Sequence, residues 1–202
     1  TQDRVKGNEI RILNVGHLCP DKGTPQLLEA FADVHRCHPS TRLYLVGECL
    51  PPYTQERLQA DIERLGIGAA VSSLGLLEGD ALQAQYAHAH LFVFASVAPY
   101  ESFGMVLLEA MMWALPLVVT DWRGNLEVCG RNPGGVVCDT QPDLTSGLIV
   151  ALGKALEKRE RWRDWGELNR LQFKENFKIE RLRGQLMDFL RTNFELQRIS
   201  AE

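Results

Sequence analysis

Three charged residues have types and spacing that could do chemistry: Lys22, Glu101 and Glu109. Lys22 lies in Gly16-His17-Leu18-Cys19-Pro20-Asp21-Lys22-Gly23-Thr24, a loop punctuated by glycine and proline. Its ammonium is a point charge suited to phosphate, although a lysine taken singly reads equally well as solvated. Glu101 and Glu109 stand eight positions apart in Pro99-Tyr100-Glu101-Ser102-Phe103-Gly104-Met105-Val106-Leu107-Leu108-Glu109-Ala110. That spacing puts Glu101 in a loop and Glu109 about two turns into the following helix, so they are not a close acid–base pair. They could hold two ends of one elongated ligand. Ser102 suits a helix N-cap, and Gly104 lets another molecule approach the backbone. Free N–H groups and the positive dipole end would then face an anion between the two acids. Glu109 interrupts the apolar stretch Met105-Val106-Leu107-Leu108-Glu109-Ala110-Met111-Met112-Trp113, so its carboxylate needs donors. A pair of ribose hydroxyls is one reading; a structural bond to a backbone turn is the other.

The elements that must position these residues alternate. Ile10–Val15, Arg42–Val46, Val71–Leu74, Leu91–Ala95, Leu117–Thr120 and Gly135–Cys138 read as strands. Thr24-Pro25 reads as N-cap and first residue of a helix whose apolar stripe is Leu27, Leu28, Phe31 and Val34. Further helices are expected with Leu58, Ile62 and Leu65 on one face, at Asp80–Ala87, and after Gly104. Gly124-Asn125-Leu126-Glu127 reads as a turn or short helix. Three helices, roughly 143–157, 160–176 and 178–195, close the chain. Strands alternating with helices imply right-handed βαβ units. The expected fold is α/β: a doubly wound, Rossmann-like parallel sheet of about six strands with helices on both faces. Ligands of such sheets bind at the carboxyl ends of strands near the topological switch point. The loops carrying Lys22, Glu48, Leu76 and Glu101 all follow strands, so they gather on that edge.

Composition excludes other classes. The 202 residues are 45% hydrophobic with net charge −4, which suits one domain with a substantial core and leaves no basic footprint for nucleic acid. No apolar run approaches the ~20 residues of a membrane span. The opening Thr1-Gln2-Asp3-Arg4 is no signal peptide, and without Met it is expected to belong to a longer chain. The five cysteines form no C-x-x-C and an odd set, which fits reduced thiols in a cytoplasmic protein. No G-x-G-x-x-G or G-x-x-x-x-G-K-[ST] follows the first strand, so dinucleotide and P-loop readings are weak. His17, His88 and His90 suit structural or solvated roles, and no Asp-x-Asp pair is present, so no metal is expected. Ser102 lacks His and Asp partners and reads as a cap. Met105, Met111, Met112 and Trp113 read as core.

Together these residues resemble the retaining GT-B glycosyltransferases of the nucleotide-sugar-dependent group, from Ile10 to about Phe177. The family's glycine, basic residue and Lys-Gly pattern corresponds to Gly16-His17-Leu18-Cys19-Pro20-Asp21-Lys22-Gly23. Its glycine-acid turn looks like Gly47-Glu48, and the Leu-Gly loop that faces the base looks like Leu74-Gly75-Leu76. Its two spaced glutamates fall on Glu101 and Glu109. A Gly-Asn-x-Glu turn appears at Gly124 to Glu127.

The resemblance implies roles. Gly16, His17, Lys22, Glu48, Leu76, Ser102, Phe103, Gly104, Met105 and Glu109 would bind a nucleotide-diphosphate sugar donor. Lys22 and His17 would hold the diphosphate and Glu109 the ribose. Glu101 and the N–H groups of Phe103, Gly104 and Met105 would meet the sugar and distal phosphate. Lys22 and Glu101 would act in catalysis, with no cofactor and no metal.

Two residues depart from the family pattern: His17 stands where Arg is usual, and Arg123-Gly124 where Gly-Gly is frequent. Arg123 could narrow the phosphate edge or supply its own charge. The resemblance covers only a donor-binding half, residues 10–177, with 1–9 as linker or tail and 178–202 as a terminal helix and tail. An N-terminal GT-B domain would hold the carbohydrate, lipid or other small acceptor, and could bring peripheral membrane association. The terminal helix carries Ile179, Leu182, Leu186, Phe189, Leu190 and Phe194 on one stripe; the resemblance implies that it packs on that domain, and in this chain alone it is expected to be partly exposed, mobile or paired with another copy. Two rival readings keep the fold: a non-catalytic nucleotide-sugar-binding module and a sugar-nucleotide epimerase, against which the spaced glutamates argue.

Overall fold

The computed structural model describes residues 9–101, 103–130, 133–177 and 179–194. Six strands form one parallel sheet: β1 (Ile10–Val15), β2 (Thr41–Val46), β3 (Val71–Ser73), β4 (Leu91–Phe94), β5 (Leu117–Thr120) and β6 (Gly135–Cys138). Their order is β3-β2-β1-β4-β5-β6, so the chain reverses its direction of travel between β1 and β4. The helices are α1 (Thr24–Cys37), α2 (Gln55–Arg64), α3 (Gly79–His88), α4 (Met105–Met112), α5 (Asn125–Cys129), α6 (Leu144–Glu157), α7 (Trp162–Asn176) and α8 (Ile179–Phe194). This is the doubly wound sheet expected from the sequence.

Neighbouring strand residues go to opposite layers. Ile10, Ile12, Leu43, Leu45 and Val93 join Leu27, Phe31, Leu58 and Leu152 under α1, α2 and α6. Leu13, Val15, Phe92, Phe94 and Val119 join Tyr86, Leu107 and Met111 on the other face. A strand covered on both sides has no polar face, which is why these segments read as unbroken apolar runs.

The β1–β4 seam has only two registered pairs, Ile12↔Leu91 and Leu13↔Phe92. Side chains continue the bonding at both ends. Arg11 N–H donates to His90 Nδ1 at 3.0 Å, and Asn14 Nδ2 donates to the Val93 carbonyl at 3.0 Å.

Two helix starts differ from expectation. Gly23, at φ 71, holds the N-cap of α1. The Thr24 hydroxyl accepts from the Cys19 N–H at 3.0 Å, so it closes the preceding turn rather than capping the helix. Similarly, α4 begins at Met105 with Gly104 as N-cap. Glu109 is therefore about one turn into α4 rather than two. Ser102, the expected cap, lies outside the described residues. Met105 and Met112, read as core, are 60% and 48% exposed, because Leu107, Ala110 and Met111 are the residues α4 buries.

On α8, Leu186 and Phe189 face solvent. Among the described residues no helix is long and apolar enough to cross a membrane.

Candidate functional site

A cavity of about 380 Å³ opens at the carboxyl ends of β1, β2 and β4, beside the switch point. Lys22, Glu101 and Glu109 all line it, with Gly16, His17, Glu48, Leu76, Phe103, Gly104 and Met105. The structure thus brings together every sequence-predicted site residue that lies among those described.

Lys22 arrives on a short 3-10 turn, Pro20–Lys22, ahead of α1. The turn is tied to the loop after β4 by a bond from Val97 N–H to the Asp21 carbonyl, 2.9 Å. At Gly23 the contact is so close that a Cβ would lie 2.2 Å from the Ala95 carbonyl oxygen. These contacts bring Lys22 Nζ to 2.5 Å from Glu101 Oε2. The same oxygen accepts from Ser96 Oγ at 2.7 Å. Ser96 is fully buried and Glu101 is 9% exposed, so the carboxylate is held by an ammonium and a hydroxyl away from bulk water. Buried carboxylates require such partners.

A chain of polar groups runs behind this pair. Thr120 Oγ1 donates to the Ser96 carbonyl at 2.7 Å, and Asn125 Nδ2 donates to Thr120 Oγ1 at 2.8 Å. The Gly-Asn-x-Glu turn singled out in the sequence therefore braces the Glu101 loop from below. Its Glu127 is exposed.

Glu109 projects from α4 and its Oε2 accepts from the Tyr86 hydroxyl at 2.6 Å. The sequence reading of a bond to a backbone turn is replaced by a side-chain donor from α3. Burial, and then the Glu109 carboxylate, push the Tyr86 phenol well above its ordinary range. Tyr86 therefore stays protonated and acts as a donor.

At the start of α4 the first N–H groups have no acceptor inside the helix, leaving donors and the positive dipole end at the cavity wall. A Cβ at Gly104 would lie 3.1 Å from both Leu107 Cδ1 and Phe94 Cε1. Between β1 and β2 the backbones nearly touch: a Cβ on Gly47, at φ 138, would meet the Gly16 carbonyl oxygen at 2.0 Å. Only glycine permits that approach.

Arg123 does not enter the cavity. It is absent from the described lining, and its guanidinium lies 5.6 Å from the Trp122 ring centroid. Two buried thiols are poor nucleophiles, since burial pushes Cys129 up to about 11 and Cys138 up to about 12.

Sequence reasoning missed Asn14, Ser96 and Tyr86. Ser96 had a usable signal: it directly follows the apolar β4 run, on the edge where ligands bind. Tyr86 had none, because only the fold brings its hydroxyl to Glu109, 23 positions away.

The profile of the family described as Glycosyl transferases group 1 matches residues 2–171. The chain belongs to this family. Among its glycosyltransferase relatives, the uncharacterized glycosyltransferase MJ1607 of Methanocaldococcus jannaschii is 33% identical over 140 residues, 69% of this chain and 34% of that protein. D-inositol 3-phosphate glycosyltransferase of Segniliparus rotundus is 32% identical over 146 residues, 71% of this chain and 32% of that one. The chain thus spans about a third of the length of these curated relatives.

Solved structures share the GT-B half-fold. Sucrose-phosphate synthase from Thermosynechococcus elongatus superimposes with TM-score 0.78 at 25% identity, covering 93% of this chain and 46% of that one. Anabaena Alr3699/HepE in complex with UDP-glucose superimposes with TM-score 0.77 at 25% identity, covering 92% and 49%. This glycosyltransferase domain is the C-terminal, Rossmann-like type of GT-B half.

Proposed function

We propose that the chain is the donor-binding half of a retaining glycosyltransferase that uses a nucleoside-diphosphate sugar without a metal. The observation that carries this reading is the meeting of Lys22, Glu101, Glu109 and the start of α4 around one cavity. A ligand with ribose at one end, a diphosphate in the middle and a sugar at the other matches that layout. The likeness to Alr3699/HepE, whose structure is a complex with UDP-glucose, supports the donor class.

Glu109 takes the ribose hydroxyls. Lys22, His17 and the N–H groups of Phe103, Gly104 and Met105 take the diphosphate, and Glu101 meets the sugar. In the reaction the bond from the sugar's anomeric carbon to the phosphate oxygen breaks. The acceptor oxygen bonds to that carbon on the same face, and its proton passes to the departing phosphate. Negative charge grows on the leaving diphosphate, where Lys22 and the α4 dipole can stabilise it. The acceptor belongs to a second, N-terminal domain, and the chain alone binds donor without transferring sugar. Positioning of an acceptor and exclusion of water need that partner. The domain limits are 10–177 for donor binding and 178–202 for the terminal helix and tail, in a cytoplasmic protein.

The test is calorimetric titration with UDP, GDP and ADP, followed by a radiolabelled-donor assay of the chain alone and joined to an acceptor domain. Binding without turnover by the chain alone is expected. No binding to any of the three would overturn the donor reading, and turnover at an ordinary enzymatic rate would overturn the need for a second domain.

A further inference from the structure

We infer that Tyr86 is the positioning residue for Glu109: its hydroxyl holds the carboxylate in the orientation that receives two ribose hydroxyls. The inference rests on the donor reading above and adds to it a residue from a separate βα unit.

Tyr86 is 1% exposed, in the core layer that lies beneath α4. Its ring stacks against Phe92 of β4, with centroids 5.9 Å apart and planes 28° apart. A phenylalanine would fill that place without bringing a polar atom into the core. The hydroxyl is tolerated because it is bonded, and its acceptor is Glu109 Oε2 at 2.6 Å. That is the length of a charge-assisted O–H···O bond.

Glutamate is a flexible side chain, and Glu109 is only half-buried at the cavity wall. Tyrosine is rigid beyond two torsions, and this one is clamped by β4. The bond therefore transfers the rigidity of the sheet to the carboxylate. An ionised carboxylate has about four lone-pair sites. Tyr86 occupies one on Oε2 and leaves the others for ligand donors. Because burial and Glu109 both raise the Tyr86 pKa, the phenol donates throughout the working pH range.

The experiment compares Tyr86→Phe, Glu109→Gln, Glu109→Asp and the Tyr86→Phe/Glu109→Gln double variant by calorimetry. The probes are whichever of UDP, GDP and ADP binds the wild type most tightly, and its 2′,3′-dideoxy counterpart. Tyr86→Phe is expected to weaken the ribonucleotide about five- to tenfold and to leave the dideoxy nucleotide within about twofold. In the Glu109→Gln background it should add nothing, since the two residues act as one unit. Glu109→Asp, which leaves the Tyr86 packing untouched and withdraws the carboxylate from the hydroxyl, should also lose discrimination for ribose. Equal losses on both nucleotides, additive losses in the double variant, or full ribose discrimination in Glu109→Asp would each overturn the positioning role. If Glu109→Gln weakens the ribonucleotide and its dideoxy counterpart alike, the ribose assignment falls and takes this inference with it. Absence of binding by the wild type is a failure of the donor reading, recorded before any variant is compared.

Discussion

Lys22 Nζ lies 2.5 Å from Glu101 Oε2, although the two residues stand 79 positions apart. The pair neutralises the principal cation of the cavity before any ligand enters. An ammonium has three donors, so Lys22 can keep Glu101 and still reach a phosphate. Glu101 thus fixes where the positive charge sits.

Replacing Lys22 by Ala should separate diphosphate from nucleoside binding. A hydrogen bond to a charged group contributes about 1.5–3 kcal/mol, so affinity for a nucleoside diphosphate should fall roughly ten- to hundredfold. Affinity for the bare nucleoside should barely move. Calorimetry with both ligands decides it, and equal losses would remove Lys22 from the phosphate.

Ser96→Ala should harm both the fold and the site. It removes the Oγ donor at 2.7 Å from a carboxylate that is 9% exposed. Leaving a buried polar group short of a partner costs about 1–3 kcal/mol. Urea denaturation should register that loss, and diphosphate affinity should drop with it as Glu101 loses its orientation. A variant as stable as wild type would mean that Lys22 alone satisfies Glu101.

Arg123→Gly should stabilise the chain. Arg123 has φ 43, in the left-handed region that side chains rarely adopt and glycine enters freely. Relief of that conformation, less the contact with Trp122, should gain roughly 0.5–1 kcal/mol. Nucleotide affinity should stay level because Arg123 is not among the residues that line the cavity. A loss of affinity would show that its charge reaches the ligand after all.

His35 should make stability fall with acid. Its ring stacks on Phe31, and its Nδ1 lies 3.1 Å from Thr41 Oγ1. Burial, then the Arg42 charge, hold its pKa below the ordinary 6.5. The unfolded chain therefore takes up this proton more readily than the folded one. The contribution is fully present above the unfolded value and is lost as pH falls through the lower folded value. His35→Gln, which cannot take up the proton, should lose less stability than wild type between roughly pH 7 and 5. Parallel denaturation curves at each pH provide the comparison.

Much of the fold was legible because fully covered strands write themselves as apolar runs. Leu117–Thr120 and Gly135–Cys138 have the boundaries read from sequence. The strand-end loops were legible as a group, since parallel winding sends them all to one edge. What stayed hidden depended on side-chain partners from distant elements. Gly104 is the N-cap of α4, where Ser102 was the expected one. Met105 and Met112 looked like core because hydropathy does not say which face of a short helix meets the sheet. Tyr86 looked like any apolar aromatic until the fold set its hydroxyl against Glu109.

The two-pair seam between β1 and β4 divides the cavity's groups between two sub-assemblies. Lys22, His17 and Glu48 belong to the half built on β1 and β2. Glu101, Glu109 and the α4 terminus belong to the half built on β4 and β5. Beyond the two registered pairs, a backbone bond from His90 N–H to the Arg11 carbonyl, 2.9 Å, and the side-chain bonds from Asn14 and to His90 hold its ends. Local opening is cheaper where cross-strand bonding is sparse, so amide exchange should cross this seam sooner than the six-pair β1–β2 junction. A ligand gripped from both sides acts as a rivet through it. Its presence should slow exchange at Asn14 and Val93 more than at the β1–β2 junction, coupling occupancy of the pocket to the cohesion of the sheet.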